Sequence, residues 1–421
     1  MSLNEIQIRL TTYLIVARQR YRERGALWAV SGIARKFGEE LLWLILLPGA
    51  LLGHVLGYRC LNVRTEHIGH LATEPDTLLK EVRLGRIAAR RRILLAPPHR
   101  VSNQHLLNYW RPYFTVIDTP WFCLLLQTMS RHLVMKQDVS RYVSKFFGTQ
   151  DIYPINALWG DRPPIVSLTG EDEVWGQEIL GALGVPPGRW FVAVHVREGG
   201  FLPRNEIIQS HRNASIGNTF LAMQEIVRRG GLCIRMGDSS MTPMPAMPGV
   251  IDYALHPLKS DRMDVFLCAK ARFFLGCTSG LAFLSSTFGV PVAQANMIPI
   301  ETLGIRYCDL SIPKLLWSRR LDRYLGFKEV LDSELGGYFF TQQYVDAEID
   351  VHENSSEDIL SLVVEMLELL NPKFVETDEG RALHQRYISL FRFGHYSYGA
   401  ASHVSIEFLR KHQLLLERSD L

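Results

Sequence analysis

Between Trp190 and Asn296 short apolar runs alternate with stretches of helical periodicity, and no other feature restricts the possible folds as much. WFVAVHVR (190–197) reads as a strand, followed by a long loop and a helix over 215–229 that Gly230 and Gly231 close. LCIRMG (232–237), GVIDYA (249–254), RFFLGC (272–277) and PVAQAN (291–296) read as further strands, with helices over 263–271 and 281–289. A looser series precedes it, with strands over 60–65, 92–98 and 114–118 and helices over 76–84, 103–109 and 121–132. Such alternation predicts parallel β-α-β units on open sheets. A length of 421 residues exceeds one small core. The expected class is therefore α/β, with two Rossmann-like domains facing a cleft and ligands at the C-terminal ends of the strands. The expected partition is a helical head over 1–57, a first domain over 58–160, a linker over 161–188, a second domain over 189–330 and a C-terminal helical region over 331–421.

Charge divides the chain unevenly. Residues 1–100 carry 16 basic and 8 acidic side chains, so the positive charge sits in the first quarter and the remainder is mildly acidic. That quarter also holds the most apolar run, LLWLILLPGALLGHVLG (41–57), interrupted by Pro48 and His54. A spanning helix needs about 20 apolar residues, and this run is shorter. Before it, residues 6–37 mix Leu10, Leu14, Leu27 and Trp28 with Arg9, Arg18, Arg20, Arg22 and Arg24. A basic amphipathic helix followed by a kinked apolar hairpin suits peripheral membrane contact through residues 1–57. Two helices packed on the protein's own body are the alternative. Nothing in the charge pattern calls for a nucleic acid partner.

The six cysteines show neither C-x-x-C spacing nor a His partner at zinc spacing, so they read as reduced thiols of a cytoplasmic protein. The opening Met1-Ser-Leu-Asn-Glu lacks the organisation of a secretory signal. G-x-G-x-x-G, G-x-x-x-x-G-K-[ST] and H-E-x-x-H are all absent, as is D-x-D. The expected ligand site is thus a nucleoside-diphosphate site built from backbone, Arg and Ser/Thr groups, with no metal and no cofactor.

Candidate residues follow the strands. Gly276-Cys-Thr-Ser-Gly280 ends one strand and opens a helix, where Thr278, Ser279 and Gly280 offer backbone N–H groups to an anion. Ser279 as a hydrolytic nucleophile lacks the G-x-S-x-G spacing, and as a plain helix cap it needs no ligand. Alternation puts His195 and Arg197 on one side of their strand, and Arg197 suits a diphosphate clamp; a structural ion pair with Glu198 competes with that reading. Arg235, Gly237 and Asp238 repeat the pattern at the next strand, and Asp252 follows another. Arg212 and Asn213 lie in the loop before the 215–229 helix, and Lys314 in Ile-Pro-Lys.

VHVREGGF, HRNASIGNTFLAM, RRGGLCIRMGD, VIDYA, KSDRMDVFLCAKARFFLGCTSGLAFLSSTFGVP and SIPK, in that order over 192–314, resemble a family of bacterial glycosyltransferases of polysaccharide biosynthesis. RTEHIGHLATEP (64–75) echoes that family's Arg-x-Gly-His-like segment, with Thr65, Glu66 and His67 inserted. The H-x-R strand and the Ser/Thr turn are also similar to GDP-fucose-dependent inverting fucosyltransferases. The resemblance implies a GT-B-like architecture, with the donor in the second domain and the acceptor in the first. It implies that His195 and Asp252 touch the base, that Arg197 contacts the diphosphate, and that Ser279 and Gly280 cap the same phosphates. Arg235 would add charge at the leaving group, and Lys314 near the phosphates. Arg212 and Asn213 would bind sugar or acceptor hydroxyls. Glu198, His70, Glu66 and Glu74 are the candidate bases, the last three on a loop after the first strand.

The expected activity is transfer of a sugar from a nucleotide-diphosphate donor, GDP-linked by preference, to a glycan, lipid-linked or small-molecule acceptor at the inner face of a cytoplasmic membrane. A two-domain nucleotide-sugar hydrolase or epimerase and a non-catalytic membrane-associated scaffold are the alternatives.

Overall fold

A computed structural model describes residues 31–32, 34–143, 149–200 and 208–417. Most of the expected basic head helix, and the loop segment 201–207, lie outside the described residues. The chain is mixed α/β with parallel sheets, and it divides into two compact units.

Unit 1 comprises 1–62, 90–97 and 114–137. Its sheet contains β1 (Tyr58–Leu61), β2 (Arg91–Leu95), β3 (Thr115–Ile117) and β4 (Lys136–Gln137) in the order β3-β2-β1-β4, all parallel. Two helices accompany it, α1 (Ala34–Val55) and α4 (Pro120–Met129). Cys60, Ile93, Ala50 and Met135 form its core, with Leu126 and Met129 of α4 against them. The expected kinked hairpin at Pro48 is not what forms: α1 runs unbroken through that proline. By length and composition this helix is sufficient to cross a membrane.

Unit 2 comprises 63–89, 98–113 and 138–421. It takes in α2 (Ile68–Arg83) and α3 (Gln104–Trp110), the helices that link the unit 1 strands in sequence. The stretch expected as a linker contributes α6 (Gly170–Ala182) to the same unit, after α5 (Ile152–Trp159). The second strand series holds β5 (Phe191–His195), α7 (Phe220–Arg228), β6 (Leu232–Arg235), β7 (Val250–Ile251), α8 (Asp261–Lys270), β8 (Phe274–Gly276), α9 (Gly280–Thr287) and β9 (Val292–Met297). β10 (Leu310–Pro313) and β14 (His403–Val404) extend the sheet to the order β14-β10-β9-β8-β5-β6-β7, with every pairing parallel. The C-terminal region is therefore not purely helical. It supplies β14 and β13 (Ile349–His352), which completes an antiparallel sheet with β11 (Leu315–Ser318) and β12 (Arg323–Tyr324), as well as α12 (Ser356–Leu369), which packs on α7; α10 (Phe327–Asp332) and α11 (Thr341–Asp346) precede α12.

Strand order fixes where a ligand belongs. From β5 the chain moves outward through β6 and β7, then returns to place β8 on the other side of β5. The β5/β8 seam is thus the switch point of the sheet, and connections leaving its two strands diverge to open a crevice at their C-terminal ends.

One local departure from expectation shapes that region. The sequence places a loop at 64–75, whereas α2 begins at Ile68 and continues through Pro75. A proline inside a helix removes the N–H that the carbonyl four residues back would accept. Here that carbonyl, on Leu71, accepts instead from the indole Nε1 of Trp110 at 2.9 Å. The helix survives because a side chain from α3 replaces the missing donor, and both partners are fully buried.

Candidate functional site

The β5/β8 seam carries the densest set of candidate residues. Gly276 lies so close to β5 that a Cβ there would sit 2.2 Å from the carbonyl of His195, so only glycine permits this pairing. Past the strand, Ser279 takes an extended conformation and its side chain accepts from the N–H of Ala282 at 3.4 Å, capping α9. The Thr278 hydroxyl accepts from the Gln294 amide at 3.1 Å, and that amide also donates to the Thr302 carbonyl at 2.7 Å. Thr278, Ser279, Gln294 and Asp309 border a small cavity beside the turn. Burial pushes the Asp309 carboxyl up to about 6, although three backbone N–H groups donate to it.

The loop after β5 is tied down over this turn. Arg197 donates its backbone N–H to the Cys277 sulfur at 3.2 Å and accepts from the Ala214 N–H at 3.0 Å. Arg212 donates to the Thr278 carbonyl at 2.8 Å and to the Gln209 side chain at 3.1 Å, while its Nε is buried with no hydrogen-bond partner among the described residues. Burial, and after it the neighbouring Arg197 charge, push the Arg212 guanidinium down to about 10, which leaves it charged at neutral pH. Burial raises the Cys277 thiol, and Arg212, Arg197 and Lys314 pull against that rise. Three cationic side chains therefore surround one buried sulfur at the foot of the turn.

Lys314 is 3% exposed, and its Nζ donates to the carbonyls of His211 at 3.0 Å and Asn213 at 2.6 Å. It braces the 211–213 turn, and burial lowers its pKa.

His195 closes the other side of the seam. Its Nδ1 lies 3.2 Å from the carbonyl of Met236, which can only accept, so Nδ1 carries the proton and Nε2 remains an acceptor. Burial pushes this imidazole down to about 4, leaving it neutral at physiological pH.

The first turn of α2 completes the group. A Cβ on Gly69 would stand 2.9 Å from the Gly280 Cα, and one on Gly280 would stand 2.6 Å from the Ile68 side chain. The N-termini of α2 and α9 thus meet glycine to glycine. His70 follows immediately, and its Nδ1 donates to Glu74 at 2.8 Å. Glu74 is fully buried; desolvation raises its carboxyl, opposed by the His70 hydrogen bond and the Arg64 N–H. Both residues were expected on a loop. They stand instead one helical turn apart, a spacing that orients the imidazole. Glu66, the remaining first-series base candidate, pairs with Arg100 at 3.2 Å on the exposed surface.

The residues after β6 and β7 behave otherwise. Arg235 is 1% exposed and donates to Glu198 at 2.7 Å and to both oxygens of Asp252 at 3.1 Å. Glu198 also accepts from the N–H of Thr242, and Asp252 from that of Met244. The residues expected at the leaving group (Arg235), as base (Glu198) and on the nucleobase (Asp252) are thus joined to one another in an ion triad. Gly237 leaves no room for a side chain, since a Cβ would lie 2.0 Å from the Met241 sulfur. Asp238 accepts from the N–H of Ser240 at 2.8 Å and shapes the same loop.

Sequence reasoning did not single out Gly69, Gln294 or Cys277. Gly69 and Gly280 carry no signal of their mutual contact, since 211 residues separate them. Among the described residues, no group of three or more His, Cys, Asp or Glu side chains is placed to hold a metal ion. All six cysteines are free thiols, five of them buried.

No family model matches the chain, and no curated protein sequence matches it. Similar solved structures include the dodecameric iron-containing heptosyltransferase TibC in complex with ADP-D-beta-D-heptose, at 13% identity over 57% of this chain and 58% of that one, with a TM-score of 0.33. TibC from enterotoxigenic E. coli H10407 is 12% identical over 57% and 58%, with a TM-score of 0.31. A family 9 glycosyl transferase from Veillonella parvula DSM 2008 is 14% identical over 51% and 60%, with a TM-score of 0.24. The match spans about three-fifths of the length of these structures. Likeness of this degree assigns no activity, which rests on the chain's own residues.

Proposed function

We propose that this chain is a glycosyltransferase that binds a nucleotide-diphosphate sugar at the β5/β8 switch point. The observation that carries the reading is the convergence there of two charged guanidinium groups, Arg197 and Arg212, with the paired N-termini of α2 and α9. Each helix end offers backbone N–H groups and the positive pole of its dipole. Two neighbouring arginines give a diphosphate two cationic groups to meet. As the bond from the sugar C1 to the diphosphate breaks, the leaving group gains negative charge where these donors already point.

His70 acts as the base in this proposal. With Nδ1–H held by Glu74, Nε2 is left to take the proton from an acceptor hydroxyl as it attacks C1. His195 keeps Nε2 as an acceptor near the base, which suits the ring N–H and amino donors of guanine, in keeping with the resemblance to GDP-fucose-dependent enzymes. Arg212 and Asn213 hold sugar or acceptor hydroxyls. The acceptor is a glycan or a lipid-linked saccharide, and the location is the cytoplasmic side of a membrane.

A panel of GDP-, UDP-, CMP- and dTDP-sugars in thermal denaturation tests this reading, because a ligand that binds the native state raises Tm by mass action. GDP-sugars should shift wild type most. Arg197→Ala should abolish that shift and lower transfer about 100-fold with Tm unchanged in the absence of ligand. A wild type indifferent to every nucleotide sugar, or an Arg197→Ala variant with full transfer, would overturn it. Rapid release of free sugar or of an epimer without an acceptor would replace transfer by hydrolysis or epimerisation.

A further inference from the structure

Unit 1 contains an apolar surface that the sugar-transfer reading does not use. On α1, Glu39, Trp43, Leu46, Leu47, Ala50 and Gly53 are the buried or half-buried positions. Their spacing of three and four residues marks one stripe of a helix. This stripe rests on the protein's own body along its whole length: Glu39 and Glu40 pair with Arg131, Glu40 also with His132, and Trp43 packs edge-on against the His132 ring. Further along, Gly49 meets the Met129 side chain, Gly53 meets Met135, and His54 bonds the Val134 carbonyl. The helix is 22 residues and about 33 Å long, and unit 1 holds it along one stripe.

Its opposite face is a different surface. Phe37, Leu41, Leu44, Ile45, Leu52 and Val55 all point to solvent, Val55 at 81% exposure. Pro48 lies on this same side. Both acidic residues of the helix are engaged by Arg131 and His132, and none of the outer-stripe residues is charged. In the same unit, α4 exposes Trp121 at 80%, Phe122 at 59% and Leu125 at 37%, and the Met129 end of α4 touches α1 at Gly49. Monomeric soluble proteins rarely expose apolar patches this extensive.

We infer that α1 and α4 together form a monotopic membrane-binding surface that lies in the interface of an anionic bilayer, with Trp121 and Phe122 as its second point of insertion. Charge decides the occupant. Arg35 and Lys36 stand exposed at the start of α1, Arg90 and Arg91 are exposed in the same unit, and residues 1–30 contribute Arg9, Arg18, Arg20, Arg22 and Arg24 against only Glu5 and Glu23. An uncharged apolar stripe flanked by excess positive charge matches acyl chains beneath anionic headgroups. A second copy of the chain would bring like charges together. Trp at the margin of the patch fits the headgroup level, where its N–H stays hydrated. The assignment of α4 could not be read from the sequence, where 121–132 is one more amphipathic stretch between strands.

Flotation of the full chain with vesicles tests the inference, and it does not depend on transfer activity. Wild type should float with vesicles of equal parts phosphatidylglycerol and phosphatidylcholine and much less with phosphatidylcholine alone. Trp121→Ser combined with Phe122→Ser should weaken flotation about tenfold or more, with Tm and the donor-induced Tm shift unchanged, while Trp121→Phe should retain it. Equal flotation of the double variant would remove α4 from the surface and overturn the proposal. So would a double variant that still needs detergent for extraction from cells, because α1 would then hold the bilayer alone. A wild type that ignores both vesicles, or forms a dimer that the double variant loses, would put another occupant on this face.

Discussion

Arg197 and Arg235 leave the ends of neighbouring parallel strands, with Val194 of β5 opposite Arg235 of β6, yet they are held in different ways. Arg235 is sealed between two carboxylates, Glu198 and Asp252, which lie 37 and 17 residues from it in sequence. Arg197 is half-buried near a second guanidinium, that of Arg212, and its backbone N–H donates to Cys277 in the turn that opens α9. The role proposed for an arginine after a strand, clamp or brace, thus depends on what other segments bring to it. The same contrast applies to the acids: Glu74 stays bound to an imidazole that can act, whereas Glu198 is absorbed by the triad.

The largest expected effect comes from breaking the brace. Arg235→Ala leaves two carboxylates without their counter-charge and should cost about 3–5 kcal/mol of stability, read as a lower denaturation midpoint. Arg197→Ala should cost under about 1 kcal/mol while eliminating the donor response. If the two variants exchanged these phenotypes, the contrast would be wrong. Next, Gly69→Ala drives a methyl group into the Gly280 backbone and should cost about 1–3 kcal/mol. It moves the first turn of α2 and His70 with it, so KM for the donor should rise while the Arg235 triad is untouched; unchanged kinetics would detach α2 from the site. The last effect depends on pH and concerns His195. Its folded pKa of about 4 lies below the 6.5 of the free side chain, so the unfolded chain binds more protons between those values. Stability should therefore rise with pH through that window and fall on acidification, by at most about 1.4 kcal/mol per pH unit. His195→Gln should flatten the difference between urea midpoints at pH 7 and pH 5, and an unchanged difference would mean that the imidazole is not buried as a neutral group.

Much of this was legible beforehand. The alternation over 190–296 announced β5, β6, β8 and β9 with their bounds nearly right, because short apolar runs between amphipathic helices have few other solutions. The glycine-bounded Cys277-Thr278-Ser279 turn was recognisable because strand-to-helix turns have their own residue preferences. β10 and β14 were harder to see, since at four and two residues they carry too little periodicity. The helix through Pro48 and the one through Pro75 were read as interrupted. In each case the local rule was sound, and in α2 a partner from elsewhere, the Trp110 indole, supplies what the proline removes.

By itself the sequence determined the α/β class, the order of the strands along the chain, and the residue types available after each of them. It also determined the basic, apolar character of the first quarter, since hydropathy and charge are properties of residues and not of arrangement. Only the tertiary structure decided that β8 lies beside β5, that two glycines 211 residues apart bring the first turn of α2 to the start of α9, and that Arg235 pairs with Glu198 and Asp252 while Arg197 lies near Arg212. It also decided which stripe of α1 turns inward. Electrostatics and close packing act through distance in space, and sequence separation does not record that distance.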